Sequence, residues 1–295
     1  MKKSPVLIGV IVIGVILVVF IGAIVLLTLM FRRETPSFTT GAKVGVVEIT
    51  GVISNSKDII REINYFVEDG GVKAIVLRID SPGGGVGASQ EIYREVVKAR
   101  AVKPVVASFG GVAASGGYYV ACGAEKIVAN PGTITGSIGV VMQFANLEEL
   151  LKKIGYKGYV IKSGEHKDVG SPFREMTSEE KELLQEVIAN VHQQFIKAVA
   201  EGRKLPIEKV AAIADGRIFA GEQAMAVGLV DEMGNLEDTI QIAARLGGIK
   251  GKPAVIYTRR KKSSLLDFFT ESIAQRLKEE VRDTTQPGLD YIWHQ

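Results

Sequence analysis

The stretch Gly110-Gly111-Val112-Ala113-Ala114-Ser115-Gly116-Gly117-Tyr118-Tyr119 constrains this chain most. It follows an apolar run of strand length, residues 104–109, and leads into residues 116–124, a helical run of small residues and tyrosines. A strand that turns at once into a helix is half of a βαβ unit. Small residues at such a junction let a second backbone approach closely. The one serine there, Ser115, stands at a helix N-terminus. Nucleophilic serines are commonly presented this way. A tight packing corner with Ser115 as N-cap accounts for this stretch equally well.

The pattern around the junction gives the fold class. Residues 44–49, 74–79 and 105–109 are short apolar runs with strand character, as are 126–129, 138–142 and 156–161. Between them lie helical patterns at 57–67, with Ile59, Ile60, Ile63 and Phe66 on one face, and at 89–100. Strands and helices alternating at this spacing predict an α/β domain with a largely parallel sheet. The second half is more helical. Thr177-Ser178-Glu179-Glu180 reads as a capping box with Thr177 as N-cap. It opens a long amphipathic helix to about Gly202. Shorter helices are expected at 206–214, 222–227 and 236–246.

The N-terminus has a different character. No charge occurs from residue 4 to 31, and residues 6–31 are almost wholly apolar. As a helix this run is roughly 39 Å long, against a hydrocarbon core of about 30 Å. A secretory signal has a shorter apolar region and an Ala-x-Ala-like end. The reading is therefore an uncleaved, single-pass transmembrane anchor. Lys2 and Lys3 on one side and Arg32 and Arg33 on the other leave its orientation open on charge alone. Residues 1–41 are anchor and linker, 42–282 one soluble domain, and 283–295 a polar, breaker-rich tail expected to be mobile. A domain of this size buries a sizeable core unaided.

The net charge of +3 is not gathered into a nucleic-acid footprint, so no nucleic-acid partner is expected. The basic run Arg259-Arg260-Lys261-Lys262 is either solvated or a contact for anionic lipid. Cys122 is the only cysteine, which rules out an internal disulfide, and it reads as a buried helix residue. His166, His192 and His294 lack metal-ligand spacing. No metal and no cofactor is expected.

A serine nucleophile needs a base. With so few histidines, a lysine is the alternative. Its amine must shed its proton near neutral pH, against an ordinary pKa of about 10.4, at a cost of roughly 4.6 kcal/mol that desolvation can supply. Lys167, in Ser163-Gly164-Glu165-His166-Lys167-Asp168-Val169-Gly170-Ser171-Pro172, is the candidate. A lysine in a polar loop is also the commonest kind of solvated charge. Glu165 and Asp168 would favour its ammonium unless they point elsewhere or burial offsets them. An oxyanion hole needs backbone amides with room for a carbonyl beside them. Ser81-Pro82-Gly83-Gly84-Gly85 offers such amides, and Gly116 is a natural second donor. The glycine loop lacks the Gly-Lys-Ser/Thr of a phosphate site.

Taken in order, these segments resemble the signal peptide peptidase A family in its short form, a group of serine-lysine membrane proteases with the Clp protease/crotonase-like fold. The resemblance rests on Asp80-Ser81-Pro82-Gly83-Gly84, Ala113-Ala114-Ser115-Gly116-Gly117-Tyr118 and Thr135-Gly136-Ser137-Ile138-Gly139-Val140. Ser163-Gly164-Glu165-His166-Lys167 and Asp215-Gly216-Arg217 complete it, and Lys167 lies 52 positions after Ser115. It implies repeated ββα units, Ser115 as nucleophile, Lys167 as general base and Ser137 as the residue that orients the lysine. Gly84 and Gly116 would form the oxyanion hole, with Gly83 shaping the loop. It further implies a homo-oligomer in which a neighbouring protomer can supply the lysine. The catalytic domain would lie outside the cytoplasm, and the substrates would be apolar remnant signal peptides.

Three rival readings stand beside this one. An α/β-hydrolase-like esterase would need Asp231 with His192 or His294. A Ser178-x-x-Lys181 enzyme would need Lys-Thr-Gly and Ser-Asp-Asn companions, which are missing. A catalytically silent membrane scaffold would use the glycine turns for packing alone. The tail, with apolar Tyr291-Ile292-Trp293, is a candidate to dock in a neighbour's active site and be trimmed.

Overall fold

The computed structural model describes residues 41–258 and 290–293, together with 14, 17, 18 and 20–22. The chain divides into two units, Met1–Thr40 and Gly41–Gln295. In the first unit the described residues are helical, and Leu17, Val18, Phe20 and Ile21 are exposed. Among the described residues no helix is long and apolar enough to cross a membrane. Most of the anchor expected at residues 6–31 lies outside the described residues, as do the 259–262 basic run and His294.

The second unit is built on a sheet whose central strands are apolar on both faces. Strands β1 (Lys43–Thr50), β2 (Val72–Ser81) and β4 (Val105–Ala114) lie side by side, in register and parallel. Side chains alternate faces along a strand. Val47, Ile49, Ile75, Leu77, Ile79, Ala107 and Phe109 therefore enter one core, and Val44, Val46, Ala74, Val76 and Val106 the other. Burial on both sides is the expected condition of a parallel sheet. The strands β5 (Lys126–Ala129), β6 (Ile134–Gly136), β7 (Ile218–Ala220), β8 (Glu232–Met233) and β9 (Ala254–Tyr257) complete it. The main path runs β7-β6-β4-β2-β1-β9, with β5 bridging β4 and β8. Of the pairings described within this sheet, only β6 with β7 is antiparallel.

Helices α1 (Lys57–Glu68), α2 (Val86–Arg100) and α3 (Gly116–Ala121) cover the first core with Ile63, Phe66, Ile92, Val96 and Tyr118. The short helix α4 (Glu148–Lys153) follows on the surface. Helix α5 (Ser178–Arg203) begins at the expected capping box: Glu180 N donates to Thr177 Oγ1 at 3.2 Å, and Thr177 N donates to the Glu180 carboxylate at 2.9 Å. It adds Phe195 and Val199 to the first core. Two short helices follow, α6 (Ile207–Ala211) and α7 (Gly221–Ala226). Helix α8 (Leu236–Leu246) closes the other face with Ile240, Ala243 and Ala244.

Two expected strands are absent. Residues 138–142 form no strand, because Gly136 and Ser137 take positive φ (80° and 49°) and turn the chain out of the sheet. Ile138 is buried in the core as a loop residue, so its apolar character comes from packing and not from a ladder. Residues 156–161 also lack strand structure and are exposed, Tyr159 and Ile161 almost completely. Among the described residues no strand pairs with them. Conversely, Gly83–Gly85, expected as a turn, is a short strand, β3. Within the tail expected to be mobile, Asp290–Ile292 form a strand, β10, with Tyr291 buried, while residues 283–289 and 294–295 lie outside the described residues.

One ion pair ties the helical half to the sheet. The Arg203 side chain is 4% exposed and pairs with Asp231 at 2.5 Å, and the other Asp231 oxygen accepts from Ile127 N in β5 at 2.7 Å. Removing the carboxylate strands a buried guanidinium. Asp231→Ala should lower the unfolding free energy by about 3–5 kcal/mol. Asp58→Ala, which breaks the exposed Arg61 pair, should leave the urea midpoint unchanged.

Candidate active site

Three adjacent parallel strands end at the same edge, and each delivers one part of the site. Strand β2 ends at Ser81 and leads through Pro82 into β3. Strand β4 ends at Ala114, so Ser115 is the next residue, and β6 ends at Gly136, so Ser137 is the next. The pairing Ala114↔Gly136 sets the two serine-bearing ends side by side, and Ser115 N donates to Gly136 O at 2.8 Å. Ligand sites in open parallel sheets form at this carboxyl edge.

Both serines are buried and conformationally strained. Ser115 has φ 51°, ψ −117° and Ser137 has φ 49°. Lys204, at the end of α5, is the only other non-glycine residue with positive φ among those described. Such positions cost of order 1–3 kcal/mol each and persist only where their surroundings enforce them. For Ser115 the enforcement is the Gly136 hydrogen bond and the start of α3. For Ser137 it is the bond from its amide to Arg217 O, at 2.8 Å. The Asp215–Arg217 ion pair stiffens that carbonyl's loop, which gives Asp215-Gly216-Arg217 its place beside the site.

The glycines of β3 and α3 meet closely. A Cβ on Gly83 would lie 2.8 Å from Gly116 N. One on Gly116 would lie 3.2 Å from Gly84 N and 2.5 Å from Ser89 Oγ. Gly84 is pressed against the Ile53 backbone and has φ 157°. Side chains at these positions would fill the space where the amides of β3 and α3 come together.

That space already holds peptide. Strand β10 pairs antiparallel with β3, in the register Tyr291↔Gly84 and Ile292↔Gly83, and Trp293 N donates to Pro82 O at 2.8 Å. The Tyr291 carbonyl oxygen lies 1.9 Å from the position of a Gly83 Cβ and 3.0 Å from that of a Gly116 Cβ. The Tyr291 ring enters a pocket, stacked on Tyr119 at 5.1 Å and packed on Phe195 at 4.6 Å. Its hydroxyl donates to Val191 O at 3.2 Å. Ile292 and Trp293 line a cavity of about 370 Å³ together with Ser137, Val140, His192 and Asp215. Sequence reading did not connect Tyr119 and Phe195 with the site. Both carry helical core patterning, and only the long-range pairing of β10 reveals their second role. The buried Ser89 Oγ, which has no hydrogen-bond partner among the described residues, was equally silent in the sequence.

Lys167 is placed differently. It lies on a 3₁₀ turn, Glu165–Asp168, and is exposed. Among the described residues no hydrogen bond joins its amine to Ser115 or Ser137. The single chain thus brings together Ser115, Ser137, Gly83, Gly84 and Gly116, with Lys167 outside their hydrogen-bond network.

The rival constellations do not assemble. Both Asp231 oxygens are engaged by Arg203 and Ile127, so Asp231 is not free to orient a histidine. Ser178 and Lys181 are exposed on the first turn of α5. Burial pushes the Cys122 thiol up to about 12, which leaves it inert as a nucleophile near neutral pH.

Comparison with known proteins shows the family of the chain. The family model for peptidase family S49 matches residues 98–250, and that for Clp protease matches residues 45–134. A candidate protease from Synechocystis sp. is 48% identical over 212 residues, which cover 72% of this chain and 76% of that protein. A candidate protease from Methanocaldococcus jannaschii is 39% identical over 272 residues, 87% of each chain. A protein of Enterococcus faecium named as a candidate signal peptide peptidase SppA is 39% identical over 187 residues, 63% of this chain and 54% of its own length. The parallel α/β sheet, the strained serine at its carboxyl edge and these matches have one common explanation: the chain belongs to peptidase family S49, the serine peptidase family of signal peptide peptidase A.

Proposed function

We propose that this protein is a membrane-anchored serine endopeptidase with a Ser115–Lys167 dyad, and that it degrades apolar remnant signal peptides after their release from preproteins. The observation that carries this reading is the seating of β10. An extended peptide lies on β3 with one carbonyl turned toward the Gly83 and Gly116 backbones, beside the strained Ser115. Serine attack on a peptide carbonyl needs an extended peptide held against backbone amides next to the nucleophile.

In this mechanism Ser115 Oγ adds to the carbonyl carbon while the neutral Lys167 amine takes the hydroxyl proton. The Gly84 and Gly116 amides hold the developing oxyanion. The intermediate then collapses, the C–N bond breaks, and the lysine returns the proton to the leaving amine. Water releases the acyl group by the same steps. Ser137 orients the amine, whose lone pair needs a fixed polar partner. Residues 6–31 hold the domain at the membrane where apolar peptides collect, with the catalytic domain outside the cytoplasm.

Two features support the substrate class and the assembly. The pocket of Tyr119 and Phe195 suits a large apolar or aromatic side chain. The exposed apolar run of Ile154, Tyr156, Tyr159, Val160 and Ile161 borders the lysine loop, and a second copy of the chain packing there would remove water from it. The dyad would then form across protomers in a homo-oligomer.

Ser115→Ala and Lys167→Ala in the full chain should each reduce cleavage of an apolar signal-peptide substrate at least 10³-fold with the assembly intact. Mixing the two inactive proteins should restore part of the activity if the site is shared. Normal cleavage by Lys167→Ala would sink the dyad, and an assembled wild type that cleaves nothing would favour a scaffold. A chain truncated after residue 289 should show a lower KM for the same substrate at unchanged kcat, because β3 is no longer occupied. An unchanged KM would mean that β10 does not compete with substrate.

A further inference from the structure

Asp168 adjoins the proposed base, and an uncommitted carboxylate there would hold the lysine as ammonium. The structure shows where that carboxylate goes. Asp168 Oδ1 accepts from Arg174 at 2.8 Å and from Lys162 Nζ at 2.6 Å, and Oδ2 accepts from Arg174 Nε at 3.0 Å. Arg174 therefore grips Asp168 bidentately, the geometry in which a guanidinium–carboxylate pair is strongest.

The same guanidinium faces a second carboxylate. Arg174 Nη1 donates to Glu180 Oε2 at 2.8 Å and Nη2 donates to Glu180 Oε1. It also donates to the backbone carbonyls of Glu175 and Asp168. Glu180 is buried and fixed by the capping box that opens α5. One side chain thus fastens the 3₁₀ turn of Lys167 to the rigid start of a 26-residue helix. The charges hold at working pH: the Arg174 guanidinium and the Thr177 amide keep the Glu180 carboxyl down at about 2, and Arg174 with Lys162 keeps Asp168 well below the usual carboxylate range.

We propose that Arg174 is a positioning residue for Lys167, sequestering the neighbouring Asp168 carboxylate and anchoring the lysine turn to the N-terminus of α5. The proposal rests on the dyad reading above. The other charged and titratable groups around the turn are Glu165 and His166 on it, Lys162 before it, Glu175 and Glu179 near the start of α5, and Glu148 and Lys152 on α4. Glu148 is tied to Lys152 and to the Glu175 amide. Glu165 and His166 are exposed. Asp168 is thus the carboxylate next to Lys167 in sequence whose release matters, and Arg174 supplies two of its three side-chain contacts.

The test is the pH dependence of kcat/KM on an apolar peptide for full-length wild type, Arg174→Gln, Asp168→Asn and the double variant. Activity rises as the lysine sheds its proton, so an Asp168 carboxylate left with Lys162 as its one side-chain partner delays that rise to higher pH. Arg174→Gln should move the acid limb up by about 0.5–1 pH unit and lower kcat roughly tenfold through the loosened turn. The double variant should bring the limb back to its wild-type position while kcat stays low. An unmoved limb in Arg174→Gln, or no return in the double variant, overturns the proposal and leaves Arg174 a purely structural tie. If Arg174→Gln does not fold, Arg174→Lys decides. Its ammonium still neutralises Asp168 but cannot span both carboxylates, so kcat should fall with the limb in place, and a wild-type kcat overturns the proposal. Full activity in Lys167→Ala would instead remove the dyad itself, an outcome separate from all of these.

Discussion

The parallel pairing of β4 with both β2 and β6 is the constraint on which the rest of the site depends. Parallel strands end at the same edge, so three stretches far apart in sequence come out of the sheet together. The glycine strand leaves β2, the strained serine leaves β4 and Ser137 leaves β6. No side chain needs to draw them together. The backbone ladder does that work, supported by apolar cores on both faces. A slip of one residue in β4 would exchange those two faces, so the cores also lock the register that places Ser115.

The strain at Ser115 and Ser137 follows from the same economy. Each chain must leave its strand at once, one into a helix and the other into a loop held by Arg217. Glycine would turn there without strain, but a glycine carries no hydroxyl. The sequence therefore places Gly116 after one serine and Gly136 before the other, and the serines themselves hold the difficult conformation.

Much of this was readable in advance, for specific reasons. Short continuous apolar runs in β1 and β2 and the Thr177 capping box encode their structures locally, and those elements appear where the pattern puts them. Ser115 and the glycines at 83, 84 and 116 stood out as a serine junction and a glycine loop, whereas Ser137 entered only through the family resemblance; all five lie at one end of the sheet. The failures share a cause. Residues 138–142 and 156–161 are apolar for tertiary reasons, core filling in one case and surface exposure in the other, and apolarity alone does not separate either from a strand. The glycine run at 83–85 became a strand because a partner arrives from residue 290, too distant in sequence for any local signal. The Arg174 contact was hidden in the same way. Glu165 and Asp168 were recognised as a difficulty for Lys167, yet the cation six positions beyond Asp168 becomes its partner only when the loop folds back on α5.

The seating of β10 on β3 has a consequence for how this domain responds to concentration. A strand belonging to the same covalent chain competes through its tether, so its occupancy of β3 does not fall when the protein is diluted. A free peptide meets a groove that is open only for a fraction of the time, and its apparent affinity is reduced by that fraction. The chain therefore sets its own threshold. Under the proposed function, sparse peptides would leave the groove closed, and only a locally dense population would displace the resident strand.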